Sequence, residues 1–476
     1  MKRWLPILII LLLSLPAIWP IVTPGYFPIH DNTQVVRVDQ MFQALQSGQF
    51  PVRWVPDLGY GYGYPIFNFY NPLPYYFGAA FMFLGVNALV ATKIMFVTPI
   101  LLSGLAIYWL ARKYFPALAA LTAAVFYVYA PYHAVQIYVR GAVGEYWAYA
   151  LVPLVTFAFL SRRRFLAPMS LALLILSHNL TAMMFIPILG FLILLLGLRR
   201  LPESIKSLLL GLGLSAFFWL PAILEKNLTR VNFMVQQQFN PLDHFVYTDQ
   251  LWNSLWGYAG SAPGRNDGIS FMIGKSHIIF TLFSLGLIIF SRKIKKNTQK
   301  FLSFTIFTLA LAVFMLLPLS YFVWVNIPAL DFIQFPWRWL SFAALSTSVL
   351  TGYAISRLPK LAWLLPVFII YSVKFFQPQF KFPITAEELL TKERVVWEVS
   401  ARSDEYLPKD FIVPQTQLEA LRDKNPANQQ LVNNLLQPTP IRTIANLISL
   451  ITVVLLVLQF SHGRLWGGRS SRGRNN

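Results

Sequence analysis

Cysteine is absent from the 476-residue chain. That excludes disulfides, thiolate nucleophiles and cysteine-held metals from any account of its fold or chemistry. Charge is scarce too: Asp, Glu, Lys and Arg make up 12% of the residues and hydrophobic residues 56%, whereas a soluble domain carries about 25% charged residues. Acid is the rarer sign, with 19 Asp and Glu against 39 Lys and Arg. There is no contiguous D-x-D pair, and no two histidines stand at the i,i+4 spacing of a zincin helix. Tandem repeats, coiled-coil heptads and low-complexity tracts are likewise lacking, and "QQQ" at 236–238 is too short to carry meaning. The N-terminal run has no A-x-A-like cleavage site, which favours a retained first helix over a removed signal peptide.

What is present is hydrocarbon. Runs such as "WLPILIILLLSLPAIWPIV" and "LISLITVVLLVLQF" approach the roughly 17–25 residues needed to cross about 30 Å of lipid. They do not alternate as barrel strands do. The fold class expected is therefore an all-α polytopic membrane protein. A net charge of +20 would suggest nucleic acid for a soluble protein. Here the cations fall in short clusters between apolar runs, as the positive-inside rule produces. The partner implied is a lipid bilayer and not nucleic acid.

Seven clusters set the topology: Lys2-Arg3, Arg112-Lys113, Arg162 to Arg164, Arg199 to Lys206, Arg292 to Lys296, Arg357 with Lys360, and the tail "GRLWGGRSSRGR". With all seven in the cytoplasm, pairs of spans fit between successive clusters. The stretch 72–89, rich in proline and tyrosine, must then dip into the outer leaflet without crossing. This predicts about twelve transmembrane helices with both termini cytoplasmic, in an integral plasma membrane protein. Three long segments, 23–71, 223–275 and 377–440, lie outside. Residues 1–376 form the transmembrane domain with the first two loops, 377–440 an external loop or small cap, and 441–476 the last span with its basic tail.

The first loop, "PGYFPIHDNTQVVRVDQ", holds acid where the chain can least accommodate it. Val35, Val38, Phe42 and Leu45 recur at helical spacing before Gly48, which predicts an amphipathic helix on the outer face. Asp31 and Asp39 both border its apolar side. The plain reading makes Asp31 an N-cap, with Gln34 completing a capping box, and Asp39 an ion-pair partner of Arg37. Next comes "RWVPDLGYGYGYPIFNFYNPLPYYFG", where three Gly-Tyr steps describe a shaped loop. Its aromatic rings, Tyr64 and Tyr70 among them, could stack on sugar or hold a lipid chain.

Further polar groups sit in apolar surroundings. "YVRGAVGEYWAYAL" carries Arg140 and Glu145, read most simply as a mutual ion pair; "LLILSHNLTAMM" carries His178 and Asn179, read as a helix cap; and "DFIQFPWRWLSF" carries Arg338, read as snorkelling between tryptophans. A charge at the bilayer centre costs about 2.5–3.5 kcal/mol even on the lenient insertion scale. Asp31, Arg140, Glu145, His178 and Arg338 all fall on the outer side, as do five of the six histidines.

Taken together, "HDN", "GYGYPIFNFYNPLPYY", "RGAVGEYWA", "LSHNLTAM" and "QFPWRWL" resemble the membrane family labelled 6-pyruvoyl-tetrahydropterin synthase-related. That family in turn resembles the C-type membrane glycosyltransferases, the GT-C fold. The resemblance implies a catalytic acid in the first external loop, at Asp31 with Asp39 as the alternative, and a polyprenyl-phosphate-linked sugar donor. It implies a glycan, lipid or protein acceptor and leaves a divalent metal open. Arg140 and Arg338 would then bind phosphate, with Glu145, His178, Asn179, Tyr64 and Tyr70 completing the substrate site. The competing readings are a transporter or flippase for lipid-linked glycans and a non-catalytic envelope-assembly protein.

Overall fold

A computed structural model describes residues 4–231, 240–291, 293–422 and 424–467. Lys2-Arg3, "QQQ", Arg292 and the tail beyond Gly467 lie outside the described residues. All regular structure among the described residues is helical, with only isolated bridges such as Tyr26–Phe382 and Thr229–Pro408. The principal helices are α1 (Leu5–Val22), α2 (Gln34–Gln46), α3 (Leu73–Met82), α4 (Ala88–Arg112), α5 (Ala117–Val128), α6 (Val143–Leu160), α7 (Leu166–Ser177) and α8 (Asn179–Leu196). There follow α9 (Leu201–Leu214), α10 (Ala216–Leu224), α11 (Lys275–Ile289), α12 (Lys296–Leu316), α13 (Leu340–Arg357), α14 (Leu365–Val373), α15 (Pro426–Leu436) and α16 (Pro440–Gly467).

Composition decides which helices are central. In α6 89% of the apolar window is buried, against 33% in α1. Nearly every residue of α13 from Leu340 to Ile355 is buried. The alanine-rich α5 packs against α4 and α13, its small side chains letting backbones approach closely where lipid offers no hydrophobic drive between helices. The outer helices α1 and α16 expose Leu8, Leu12, Trp19, Leu450 and Val454, as a lipid-facing surface requires.

Six of the described helical stretches are long and apolar enough to cross a membrane, or eight if each bent pair counts as one span. The expected twelve is therefore not reached by length and composition. Two spans are broken, α5 by 45° from the helical segment Pro131–Arg140 and α9 by 74° from α10. The helices α7, α11 and the stretch Pro359–Val373 are short, and the α13 run is diluted by Ser341, Ser346, Thr347, Ser348 and Thr351. Within the stretch 72–89, α3 has only 10 residues, about 15 Å of helix.

Segments 23–71, 223–275 and 377–440 pack on one another. Tyr26 pairs its backbone with Phe382, and Arg37 donates to Ser403 Oγ at 2.8 Å. The backbone N–H of Asn425 donates to Tyr62 at 2.6 Å, Arg230 pairs with Asp404 at 2.7 Å, and His30 meets the Tyr258 carbonyl at 3.0 Å. Tyr60, in the left-handed region at φ 59°, is held there by Ser400 Oγ accepting its N–H at 3.0 Å. The Gly-Tyr loop is thus shaped by the 377–440 segment.

Candidate functional site

A buried charge cluster stands where α6 begins. The segment Val135–Arg140 is a π-helix, a geometry that recurs at functional sites because it re-aims side chains. It ends at Gly141 (φ 62°), whose absent side chain makes room for Ile29: a Cβ there would lie 2.4 Å from Ile29 Cδ1. The strand-like segment 29–31 therefore lies against the π-helix, with His30 N–H donating to the Val139 carbonyl at 3.0 Å and Asp31 N–H to the Arg140 carbonyl at 2.9 Å.

Glu145, in the first turn of α6 and 3% exposed, organises the rest. It accepts from Arg140 at 2.7 Å, lies 3.6 Å from Arg338 Nε, and also takes Tyr132 Oη at 2.5 Å and Gln136 Nε2 at 3.1 Å. Gln136 reaches on to Ser341 Oγ of α13 at 3.0 Å. The Arg140 guanidinium lies 4.5 Å over the Trp337 ring, and Arg338 donates to Gln334 at 3.2 Å. Arg338 Nε and Nη1 are buried without a hydrogen-bond partner. One carboxylate thus holds two guanidinia, leaving net positive charge and unused donors. Gly144, next to Glu145, is forced by close approach: a Cβ would lie 2.1 Å from Asn71 Nδ2 and 2.5 Å from the Ser177 carbonyl. This contact seats the tyrosine loop and the α7–α8 turn beside the cluster.

Asp31 is partly exposed, and among the described residues no cation comes within ion-pair distance of its carboxylate. Burial nonetheless pushes its pKa above the ordinary carboxylate range, against the opposing pull of Arg140, Arg37, His30 and Arg338. Its expected capping role is not found. The N-cap of α2 is Thr33, without a side-chain cap bond, and Gln34 instead donates to the Gly141 carbonyl at 2.9 Å and accepts from Tyr75 at 2.7 Å. The backbone pairing to Arg140 holds Asp31 off the helix end, where its carboxylate feels the charges of Arg140, Arg37, His30 and Arg338.

Asp39 lies apart. It accepts from Gln43 at 2.6 Å and sits beside Asp57 and Gln40, while Arg37 turns instead to Ser403 and lies 4.5 Å over the Tyr70 ring. His178 caps α8, its Nδ1 accepting from Thr181 N–H at 3.2 Å. It feels the charges of Glu145, Arg338 and Arg140. Asn179 bonds only within its own helix end, to Leu180 N–H at 3.0 Å. Tyr64 is fully buried, accepting from Tyr406 N–H at 3.1 Å, so its ring is packing between the loop and the 377–440 segment. Arg338 does not snorkel: it is 8% exposed and turned inward.

The sequence reading missed Arg37, Tyr132, Gln136, Ser341 and Glu405. Tyr132, Gln136 and Arg140 recur every four residues in an apolar run, a polar stripe that could have flagged them. Glu405 carries no local signal. It is bonded by Ser403 at 3.2 Å, and its carboxyl is raised by burial against the pull of Arg37. Among the described residues no three His, Asp or Glu side chains converge in a metal-holding group. Glu145 is committed to two guanidinia.

Broken helices around a buried polar cluster, an acid in the first loop, and irregular segments packed on one another mark out a class of helical membrane protein. The fold is GT-C-like. Two single-particle structures of arabinofuranosyltransferase AftD from Mycobacteria match with TM-scores of 0.50 and 0.51 at 14% identity, over 81% of this chain. The chain spans only 29% and 28% of those proteins. An Archaeoglobus fulgidus oligosaccharyltransferase structure gives a TM-score of 0.49 at 14% identity, over 92% of this chain and 61% of that one. No curated protein matches the chain. Residues 67–381 match the 6-pyruvoyl-tetrahydropterin synthase related domain of membrane proteins, and the chain belongs to that family.

Proposed function

We propose that the protein is a membrane glycosyltransferase that moves a sugar from a polyprenyl-phosphate donor to an acceptor hydroxyl at the extracytoplasmic face, with Asp31 as general base. The observation that carries this reading is the Asp31 carboxylate, unpaired yet set among Arg37, Arg140 and Arg338. These groups come from three stretches far apart in the chain, 31–37, 140 and 338. A carboxylate held above its ordinary pKa is a better proton acceptor, and cations nearby stabilise charge developing on a departing phosphate.

Asp31 takes the acceptor hydroxyl proton as the oxygen attacks the anomeric carbon. The bond from that carbon to the phosphate oxygen breaks in line, its electron pair leaves with polyprenyl phosphate, and the configuration inverts. Arg338, whose Nη1 lacks a hydrogen-bond partner, donates to the phosphate through that nitrogen. Arg140 is held by Glu145 and lends charge; Tyr70, partly exposed beside Arg37, is the ring available for the sugar.

The test is Asp31→Asn in proteoliposomes supplied with a polyprenyl-phosphate sugar. Transfer falls by at least about 100-fold, the scale of one general base, while donor binding is retained. Unchanged transfer refutes the role. Intact glycans with donor trapped on one side of the membrane would instead identify a transporter.

A further inference from the structure

The opposite end of the bundle holds a second site. Helix α6 starts at the Glu145 cluster and ends at Leu160; its 18 residues span about 27 Å. Helix α8 likewise starts at the His178 cap and ends at Leu196. At this far end two cavities open, of about 290 and 500 Å³, within or near the volume range of small-molecule sites. The first is lined by Arg162, Arg163, Arg164, Arg200 and Lys206, with Glu203 as its acid. The second is lined by Lys113, Arg200, Lys295, Lys296 and Lys300 and has no acid in its wall.

Arg200 borders both cavities. It lies on the single 3₁₀ turn Leu198–Arg200 that joins α8 to α9, so one guanidinium stands between two cationic chambers. Glu203 comes no nearer to Arg162 than 4.0 Å, with both side chains about half exposed, and neutralises little. Burial holds the Lys113 ammonium below its ordinary pKa, and the neighbouring charges of Arg200 and Arg163 add to that. The second wall also holds Tyr114, Asn297 and Thr298, with an apolar side of Leu160, Leu192, Leu195, Leu196 and Phe301. Beside it Leu194 and Leu198 project outward with exposures of 72% and 82%.

We propose that these two chambers form a binding site for the phosphate headgroup of an anionic glycerophospholipid, with Arg200 bridging them and the acyl chains lying along the leucines of α8. The cations supply the phosphate partners. The leucines favour a lipid over a free anion, because a soluble phosphate gains nothing from an apolar wall. A bilayer-thick separation from Asp31 makes this site independent of the proposed transfer chemistry.

The experiment uses the purified full chain, titrated with dioctanoyl phosphatidylglycerol, dioctanoyl phosphatidylcholine or inorganic phosphate and read by native mass spectrometry and by Tm. Phosphatidylglycerol gives discrete adducts and raises Tm, while the other two do neither. In Arg200→Gln the anionic lipid binds about fivefold more weakly, and in Arg200→Gln with Lys113→Gln on the order of 25-fold, at about fivefold per cation removed. Arg200→Lys retains most of the binding, and unliganded Tm values of all variants stay near that of the parent. Equal binding of phosphatidylcholine would mean bulk solvation by lipid and overturns the proposal. So does equal binding of inorganic phosphate, which would make this a free-anion site. Undiminished lipid binding in the double variant also overturns it, whatever the outcome at Asp31.

Discussion

Replacing Glu145 by Gln removes one negative charge from between two guanidinia with almost no change of volume. At 2.7 Å from Arg140 and 3.6 Å from Arg338, the gross attractions are about 6 and about 5 kcal/mol in an effective dielectric of about 20. Much of that offsets desolvation, and breaking a buried pair by removing one partner costs a net 3–5 kcal/mol or so. That is a large share of a total stability on the order of 5–15 kcal/mol. Reversible unfolding of the purified protein in mixed micelles, extrapolated to zero denaturant, measures it. The companion variant Arg140→Gln and the double variant close a cycle. Because removing Arg140 as well takes away one orphaned cation, the double variant loses less than the two singles together, by about 1–3 kcal/mol. Additivity within about 0.5 kcal/mol, or a single loss below about 1 kcal/mol, would show that Glu145 does not organise the cluster.

The pH dependence follows from Asp31. Its folded carboxyl is raised above the ordinary value of about 3.9, so the folded state holds the proton to higher pH than the unfolded chain. The contribution of Asp31 to stability therefore declines as pH rises from about 3.9 through its folded pKa, and transfer rises over the same interval as the base ionises. An acid limb of the rate profile at or below about 3.9 would contradict this. Arg37→Ala removes one of the cations opposing the shift, so the limb moves to higher pH, whereas an unmoved limb would separate Arg37 from the site.

The membrane character of the chain was legible because apolar length and basic clustering are local properties. So were the short stretch at Leu73–Met82, the Arg140–Glu145 pair five residues apart and the His178 cap. The Asp31 environment was half legible. Its chemical type and position stood out, but local reasoning favoured a cap, because only a tertiary contact, the left-handed Gly141 beneath Ile29, pulls it off the helix end. Arg37 and Ser403 meet across 366 positions, and no periodicity encodes such a contact. Among the described residues, length and composition account for six to eight of the twelve expected spans. Apolar runs reveal burial in lipid or in protein alike, and the chain bends by 45° after α5 and by 74° after α9.

The most direct measurement is a structure of the protein with a bound polyprenyl phosphate. The account predicts phosphate density against Arg338 Nη1, with the Asp31 carboxylate facing the position of the anomeric carbon. Phosphate found instead beyond reach of Arg338, Arg140 and Arg37, with Asp31 turned to solvent, would contradict it.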